Sequence, residues 1–256
     1  MPTQFSYRDY VSDTTFMEGY KEYQKQFSKK IRECDKVMIE LVRGIVEKDL
    51  RSGKQPSLLD IGCSAGNLLC HMKRMIPGLR LTGGDMVQSI LSQNRSDPAL
   101  SDIRFEEMDL LYLGHEGEFD IIIANAVLYL FSEDEFNRAL ANISAALKPQ
   151  GWFMVFDFFH PFEQELAVFE KSETHPNGLM LHFRPYSTVM AGLKKFHFTN
   201  IDFKPFIIPV DLDRPKEPKD MVTYTLRSDN GTRMLFRGTL FQPWCHLITQ
   251  RGADDR

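Results

Sequence analysis

A glycine-punctuated turn and three acids carry the chemistry legible in this 256-residue chain. The stretch Leu58–Asn67 reads LLDIGCSAGN. Two apolar residues and Asp60 lead into glycines at Gly62 and Gly66, and Leu68–Met72 then has helical character. A short apolar run that enters a glycine turn and leaves as a helix is the first βα unit of a doubly wound sheet. Glycine lets the backbone turn sharply and lets a ligand approach where a Cβ would otherwise stand. The N–H groups opening the next helix have no partners within it, so the turn suits a polar or anionic ligand group. Spacing narrows the ligand. The dinucleotide fingerprint G-x-G-x-x-G requires glycine where Ser64 and Asn67 stand, which disfavours a nicotinamide dinucleotide.

Two further acids follow at regular places. Asp85 ends the second strand, Arg80–Gly84. A carboxylate there offers two acceptors to the vicinal diol of a ribose, although alone it would serve as a cap for the helix Val87–Ser92. Asp109 follows the third strand, near Ile103–Glu107, and lies between Met108 and Leu110; by itself it reads as a loop acid. Phe119–Leu130 is almost continuously apolar, as a strand buried on both faces requires. The helix Glu133–Leu147 carries Phe136, Leu140, Ile143 and Leu147 on one stripe and breaks at Lys148–Gly151. A fifth strand, Trp152–Phe156, ends in Asp157–Phe158–Phe159–His160–Pro161.

In this order the units resemble the class I, Rossmann-like S-adenosylmethionine (SAM) dependent methyltransferases of the small-molecule type. Asp60, Gly62 and Gly66 match the family's acid-x-G-x-G-x-G motif, with Ser64 at the middle glycine. The run through Asn125 resembles the family's fourth motif, and Lys148–Gly151 its LKPGG turn. The resemblance covers roughly residues 56–160. It implies SAM as cofactor, bound by Asp60, Gly62, Cys63, Ser64 and Gly66 in the turn and by Asp85 and Met86 at the ribose. It further implies that Asp109 bonds the adenine amine, that Met108 and Leu110 sandwich the ring, and that Asn125 and Ala126 sit at the fourth motif. In a doubly wound sheet the reacting centre lies beyond the carboxyl ends of the strands. Acceptor chemistry is therefore expected at Tyr129, Asp157 and His160. Neutral imidazole takes a hydroxyl proton near pH 7, so His160 is the candidate base, with Asp157 orienting it or acting itself. The alternative for His160 is a helix cap or loop residue.

The remaining segments frame that site. Phe27, Ile31, Cys34, Met38, Leu41, Val42 and Ile45 recur at helical steps, so this region reads as helix. The resemblance implies that residues 1–55 form a helical cap over the pocket, with Tyr20, Tyr23 and Arg32 either reaching it or serving as ordinary helix surface and core. Residues 56–256 form the SAM-binding domain. The resemblance implies a sheet of seven strands, mostly parallel, with the last, Gln242–Gln250, antiparallel. Phe162–Lys171 reads as helix, Leu179–Arg184 as strand, Ser187–Phe196 as helix and Asn200–Val210 as the sixth strand. Thr223–Arg227 and Arg233–Arg237 flank Asp229–Asn230–Gly231 as a β-hairpin. That hairpin lies in an insertion over about 211–238, serving as lid or dimer surface.

Composition sets the outer bounds. The net charge of −4 and a sequence pI near 6.0 leave no electrostatic footprint for a nucleic acid. Four cysteines without CxxC spacing indicate neither a metal site nor a disulfide framework. No run approaches the length of a membrane span and the N-terminus has no apolar core of a signal peptide, so a cytoplasmic protein is expected. The resemblance implies a small-molecule acceptor, and a monomer or homodimer is expected. Two alternatives stand beside a methyltransferase: a related enzyme that modifies SAM itself, and a non-catalytic SAM-binding subunit.

Overall fold

The computed structural model of the protein describes residues 6–173 and 175–253. Three helices come first: α1 (Tyr7–Ser12), α2 (Thr14–Lys25) and α3 (Glu33–Arg51). The sheet begins with β1 (Ser57–Ile61), α4 (Asn67–Met75), β2 (Arg80–Asp85), α5 (Gln88–Ser96) and β3 (Arg104–Glu107). It continues with β4 (Phe119–Asn125), α6 (Glu133–Ala146) and β5 (Leu147–His160). The central strand order is β3-β2-β1-β4-β5-β12-β8, where β8 is Phe198–Pro205 and β12 is Trp244–Arg251. The first five run parallel, and β12 lies antiparallel between β5 and β8. This is the doubly wound sheet expected from the sequence, with the reversed last strand inside it.

Burial on both faces explains the apolar runs. Leu58 and Leu59 are each 0% exposed yet belong to different cores, one on each side of the sheet. Ile121 and Ile123 face one core while Ile122 and Ala124 face the other. Helix α6 begins at a capping box in which Ser132 accepts from the Glu135 N–H and the Glu135 side chain answers the Ser132 N–H. Helix α3 packs Met38, Ile39, Val42 and Val46 against the second core.

One segment differs from the expectation. Phe162–Lys171 is not a helix: residues Leu166–Glu170 form strand β6, antiparallel to β7 (Leu179–Pro185). The end of β7 pairs in turn with Phe159 and His160 of β5. Local composition favours helix there, but a neighbouring strand offers a full ladder and a core contact for Val168, and tertiary pairing prevails. Helix α7 (Tyr186–Lys195) then leads into β8. Strands β9 (Thr223–Arg227), β10 (Arg233–Arg237) and β11 (Leu240–Phe241) form a separate three-stranded sheet, in which β9 and β10 are the expected hairpin. No helix among the described residues is long and apolar enough to cross a membrane.

Candidate active site

Strand β1 delivers the chain into the glycine turn and α4 carries it away. Gly62 has φ +78°, and a Cβ there would stand 2.6 Å from Val127 Cγ2. Conformation and space both demand glycine. The N–H groups of Gly62 and Cys63 donate to the Gly84 carbonyl at 2.8 and 3.0 Å, fastening the turn to β2. Ser64, at the position of the motif's middle glycine, adopts φ +47°. A side chain in that region costs about 1–2 kcal/mol, and the surroundings hold it there. Its N–H donates to Asp85 Oδ2 at 2.9 Å, and its carbonyl accepts from Asn94 Nδ2 at 2.7 Å. The serine thus keeps the glycine's backbone geometry.

Asp85 closes β2 at the rim of this turn. Its second oxygen accepts from the Val87 N–H at 2.9 Å, so both oxygens are aimed by backbone donors and each keeps a lone pair for a ligand. Burial raises its pKa, against the pull of the Val87 and Ser64 N–H groups. Asp60, 3% exposed, has an Oδ1 without a hydrogen-bond partner among the described residues. Its pKa is pushed up to about 8, chiefly by burial and then by the nearby Asp35 carboxylate.

One cleft, about 150 Å³ and partly open to solvent, joins the glycine turn to Asp85, with Asp60 outside its lining. Ile61, Gly62, Ser64, Asp85, Met86 and Ile90 line one end, with Met108, Asp109 and Leu110 beside them. Asn125, Ala126, Val127 and Tyr129 line the other, and Tyr7, Tyr10, Met17 and Tyr20 of the helical cap cover it. Cys63 and Gly66 shape the turn from outside the lining: the Cys63 thiol is buried against the β2 glycines, and Gly66 starts α4 at φ +68°. Ala126 takes φ +60°, with its N–H on the Phe156 carbonyl at 2.8 Å.

Sequence reasoning missed Asp35. It is fully buried on α3, where Arg32 Nε and Nη2 donate to it at 2.7 and 3.1 Å and Asn125 Nδ2 donates at 3.1 Å. Asp35 thus joins the cap to the end of β4. The available signal was an acid on the apolar stripe, between Cys34 and Met38 and three residues from Arg32. Asp60 feels the Asp35 and Asp85 carboxylates and, with the opposite sign, the Arg32 guanidinium.

The three acceptor-side candidates are not brought together at one point. Tyr129 lines the cleft, and burial raises its pKa well above the usual phenol value. It is therefore a neutral hydroxyl at physiological pH. Asp157 sits behind it, with its oxygens accepting from the N–H groups of Tyr129 (3.1 Å) and Phe158 (2.7 Å). Burial pushes the Asp157 pKa up to about 7. His160 lies beyond the lining residues, 6% exposed, and neither ring nitrogen has a partner among the described residues. Arg184 donates to the carbonyls of Leu128 and Phe131 and braces the Tyr129 loop. Arg237 is paired with Glu170.

Known proteins share parts of this arrangement. Residues 58–151 match the family of methyltransferase domains. The release factor glutamine methyltransferase of Deinococcus radiodurans is 36% identical over 80 residues, 30% of this chain and 28% of that protein. The trans-aconitate 2-methyltransferase of Escherichia coli is 33% identical over 92 residues, 36% of this chain and 35% of that protein. The chain spans between 28% and 44% of the length of the first curated relatives it matches. Among solved structures, the 1,6-didemethyltoxoflavin-N1-methyltransferase of Burkholderia thailandensis has bound 1,6-didemethyltoxoflavin and S-adenosylhomocysteine. It superposes with a TM-score of 0.59 at 16% identity, covering 98% of this chain and 92% of that one. At that identity the likeness is one of fold.

Proposed function

From the premise that residues 58–151 are a methyltransferase domain of the class I, Rossmann-like fold, we propose that the protein binds SAM and transfers its methyl group to a small-molecule acceptor. The observation that carries this reading is Asp85. Its carboxylate stands at the end of β2, beside a turn that only glycine geometry allows, and backbone N–H groups aim both its oxygens. Such a group receives the two hydroxyls of a ribose.

The rest of the cleft fits the cofactor. Met86, Met108 and Leu110 supply apolar walls for a purine, with Asp109 at their edge. The unpartnered oxygen of Asp60, with Asp35 near it, suits the cationic methionine end. When bound, SAM supplies a methyl group activated by sulfonium charge. The chain's own residues would hold the cofactor, exclude water beneath the tyrosine-lined cap and aim the acceptor. Tyr129 would donate to the acceptor from the cleft wall, and Asp157 would fix the Tyr129 backbone. His160 is the base in this reading, supported by two buried ring nitrogens that bond to nothing else described. An oxygen acceptor is favoured, since a hydroxyl carries a proton that a base must take. The four free cysteines fit a reduced, cytoplasmic setting.

Titration calorimetry tests the central claim. SAM and S-adenosylhomocysteine should bind at micromolar concentration or tighter, with no heat from NAD. Binding of NAD without binding of SAM at millimolar concentration would overturn the reading. For the base, His160→Ala should lower turnover by roughly 10²–10⁴ with SAM affinity nearly intact. Retention of most activity would pass the role to Asp157 or Tyr129.

A further inference from the structure

The adenine-side acid is already engaged by the protein. Asp109 Oδ2 accepts from the Tyr7 hydroxyl at 2.7 Å and from Arg8 Nη2 at 2.8 Å, while its Oδ1 accepts from the Leu111 N–H at 2.9 Å. Arg8 Nε also donates to the Tyr7 hydroxyl at 3.1 Å, so the three side chains form one closed network. Helix α1 brings Tyr7 and Arg8 there across more than a hundred residues of sequence. The docking has a hydrophobic base as well: Tyr7 is 5% exposed, and its ring meets Phe131 edge-to-face at 5.1 Å between centroids. Outside, the Arg8 guanidinium lies over Tyr112 at 5.3 Å. Tyr7 and Asp109 both line the cofactor cleft.

We propose that Tyr7 and Arg8 are positioning residues of the cofactor site, which clasp α1 to Asp109 so that the helix closes the adenine end of the cleft and must unclasp for the cofactor to exchange. The proposal rests on the SAM-binding reading and adds to it the element that governs entry and exit. A carboxylate has about four lone-pair directions. Three donors of the chain occupy Asp109 and leave one for an exocyclic amine, so clasp and ligand share the acid and do not compete for it. The hydrogen bonds that tie α1 to Asp109 come from side chains, so breaking them leaves the ladder of the sheet intact.

Two measurements test it, one of them independent of the cofactor. In the free protein, trypsin should cut after Arg8 slowly in the wild type and several-fold faster in Tyr7→Phe, which keeps the ring against Phe131 and removes the hydroxyl. With S-adenosylhomocysteine bound, its dissociation rate by stopped-flow fluorescence should rise on the order of ten-fold in Tyr7→Phe, about the value of one hydrogen bond to a charged acceptor. Arg8→Ala, at a more exposed site, should raise it by a smaller factor. Unchanged proteolysis and unchanged dissociation in Tyr7→Phe would overturn the clasp. Tighter cofactor binding in that variant would overturn it too, by showing that α1 competes with the ligand for Asp109. If the wild type binds no S-adenosylhomocysteine, the proteolysis result still decides whether the clasp exists, and the functional reading fails separately.

Discussion

The cleft has one wall made by the sheet and one made by the helical cap, and different bonds hold them. On the sheet side every donor named is a main-chain N–H: Gly62 and Cys63 to the Gly84 carbonyl, Ala126 to the Phe156 carbonyl, and Ser64 and Val87 to the Asp85 side chain. On the cap side, side chains make the ties. Asn67 Nδ2 donates to the Gln24 carbonyl at 2.9 Å, His71 Nε2 meets the Phe27 carbonyl at 2.9 Å, and Asn125 reaches Asp35. A wall of main-chain bonds answers mainly to backbone geometry, whereas a wall of side-chain bonds can be loosened one tie at a time. In the proposed reading the sheet wall is the rigid seat and the cap wall the route of access.

The sharpest way to break this contrast is to force the sheet wall itself. Gly62→Ala puts a side chain at φ +78° and a methyl 2.6 Å from Val127. Strain and overlap together should cost about 2–4 kcal/mol of stability and abolish detectable SAM binding. Chemical denaturation and calorimetry read both effects. A variant that keeps wild-type stability and affinity would mean the turn is not what fixes the ligand. Next in size is Asp85→Ala. The fold should persist, because Ser64 and Val87 can turn to water, but cofactor affinity should fall about ten- to a hundred-fold with the loss of charge-assisted bonds. An unchanged dissociation constant would return Asp85 to a purely local role at the start of α5.

The same contrast explains what could be read from the sequence. Main-chain bonds of a βα turn follow from local residue order, so Asp60, Gly62, Ser64 and Asp85 announce themselves by spacing. The buried strands likewise show in their apolar runs, whereas the antiparallel placement of the last strand came only from the resemblance. The cap's contribution was not legible in that way. Tyr7 meets Asp109, and Asp35 meets Asn125, across stretches where spacing carries no information, and neither residue departs much from an ordinary helix surface in type. The misread segment Phe162–Lys171 fails similarly, since its strand exists only because β7 arrives to pair with it. The domain plan had no local marker for the separate sheet of β9, β10 and β11 beyond its hairpin turn.

A cap-side tie should be weaker in its consequences. Asn67 is 8% exposed, and its amide holds both the carbonyl and the side chain of Gln24. Asn67→Ala should cost about 1–2 kcal/mol and weaken S-adenosylhomocysteine binding a few-fold through a looser cap. Thermal unfolding and calorimetry separate the two. A loss of affinity as large as that of Asp85→Ala would erase the difference between the walls.

A pH dependence is also expected at Asp60 on the sheet wall, on which Asp35 of the cap acts. Burial, and then Asp35, push the Asp60 pKa up to about 8 from an ordinary value of 3.8. Between those values the folded protein keeps a proton that the unfolded chain has lost. The contribution of Asp60 to stability is therefore greatest at low pH and falls as pH rises through this window, the reverse of a salt-bridged carboxylate. A cationic ligand favours the ionised form, so binding of SAM below pH 8 should release a proton. Affinity should then climb by at most about ten-fold per pH unit and level off above pH 8. Calorimetry at pH 6.5, 7.5 and 8.5 in two buffers of different ionisation enthalpy counts that proton. Asp60→Asn should bind somewhat more weakly and lose the slope. If the wild type shows no proton release, or the asparagine variant keeps the same slope, the unpartnered oxygen of Asp60 does not face the cofactor's positive end.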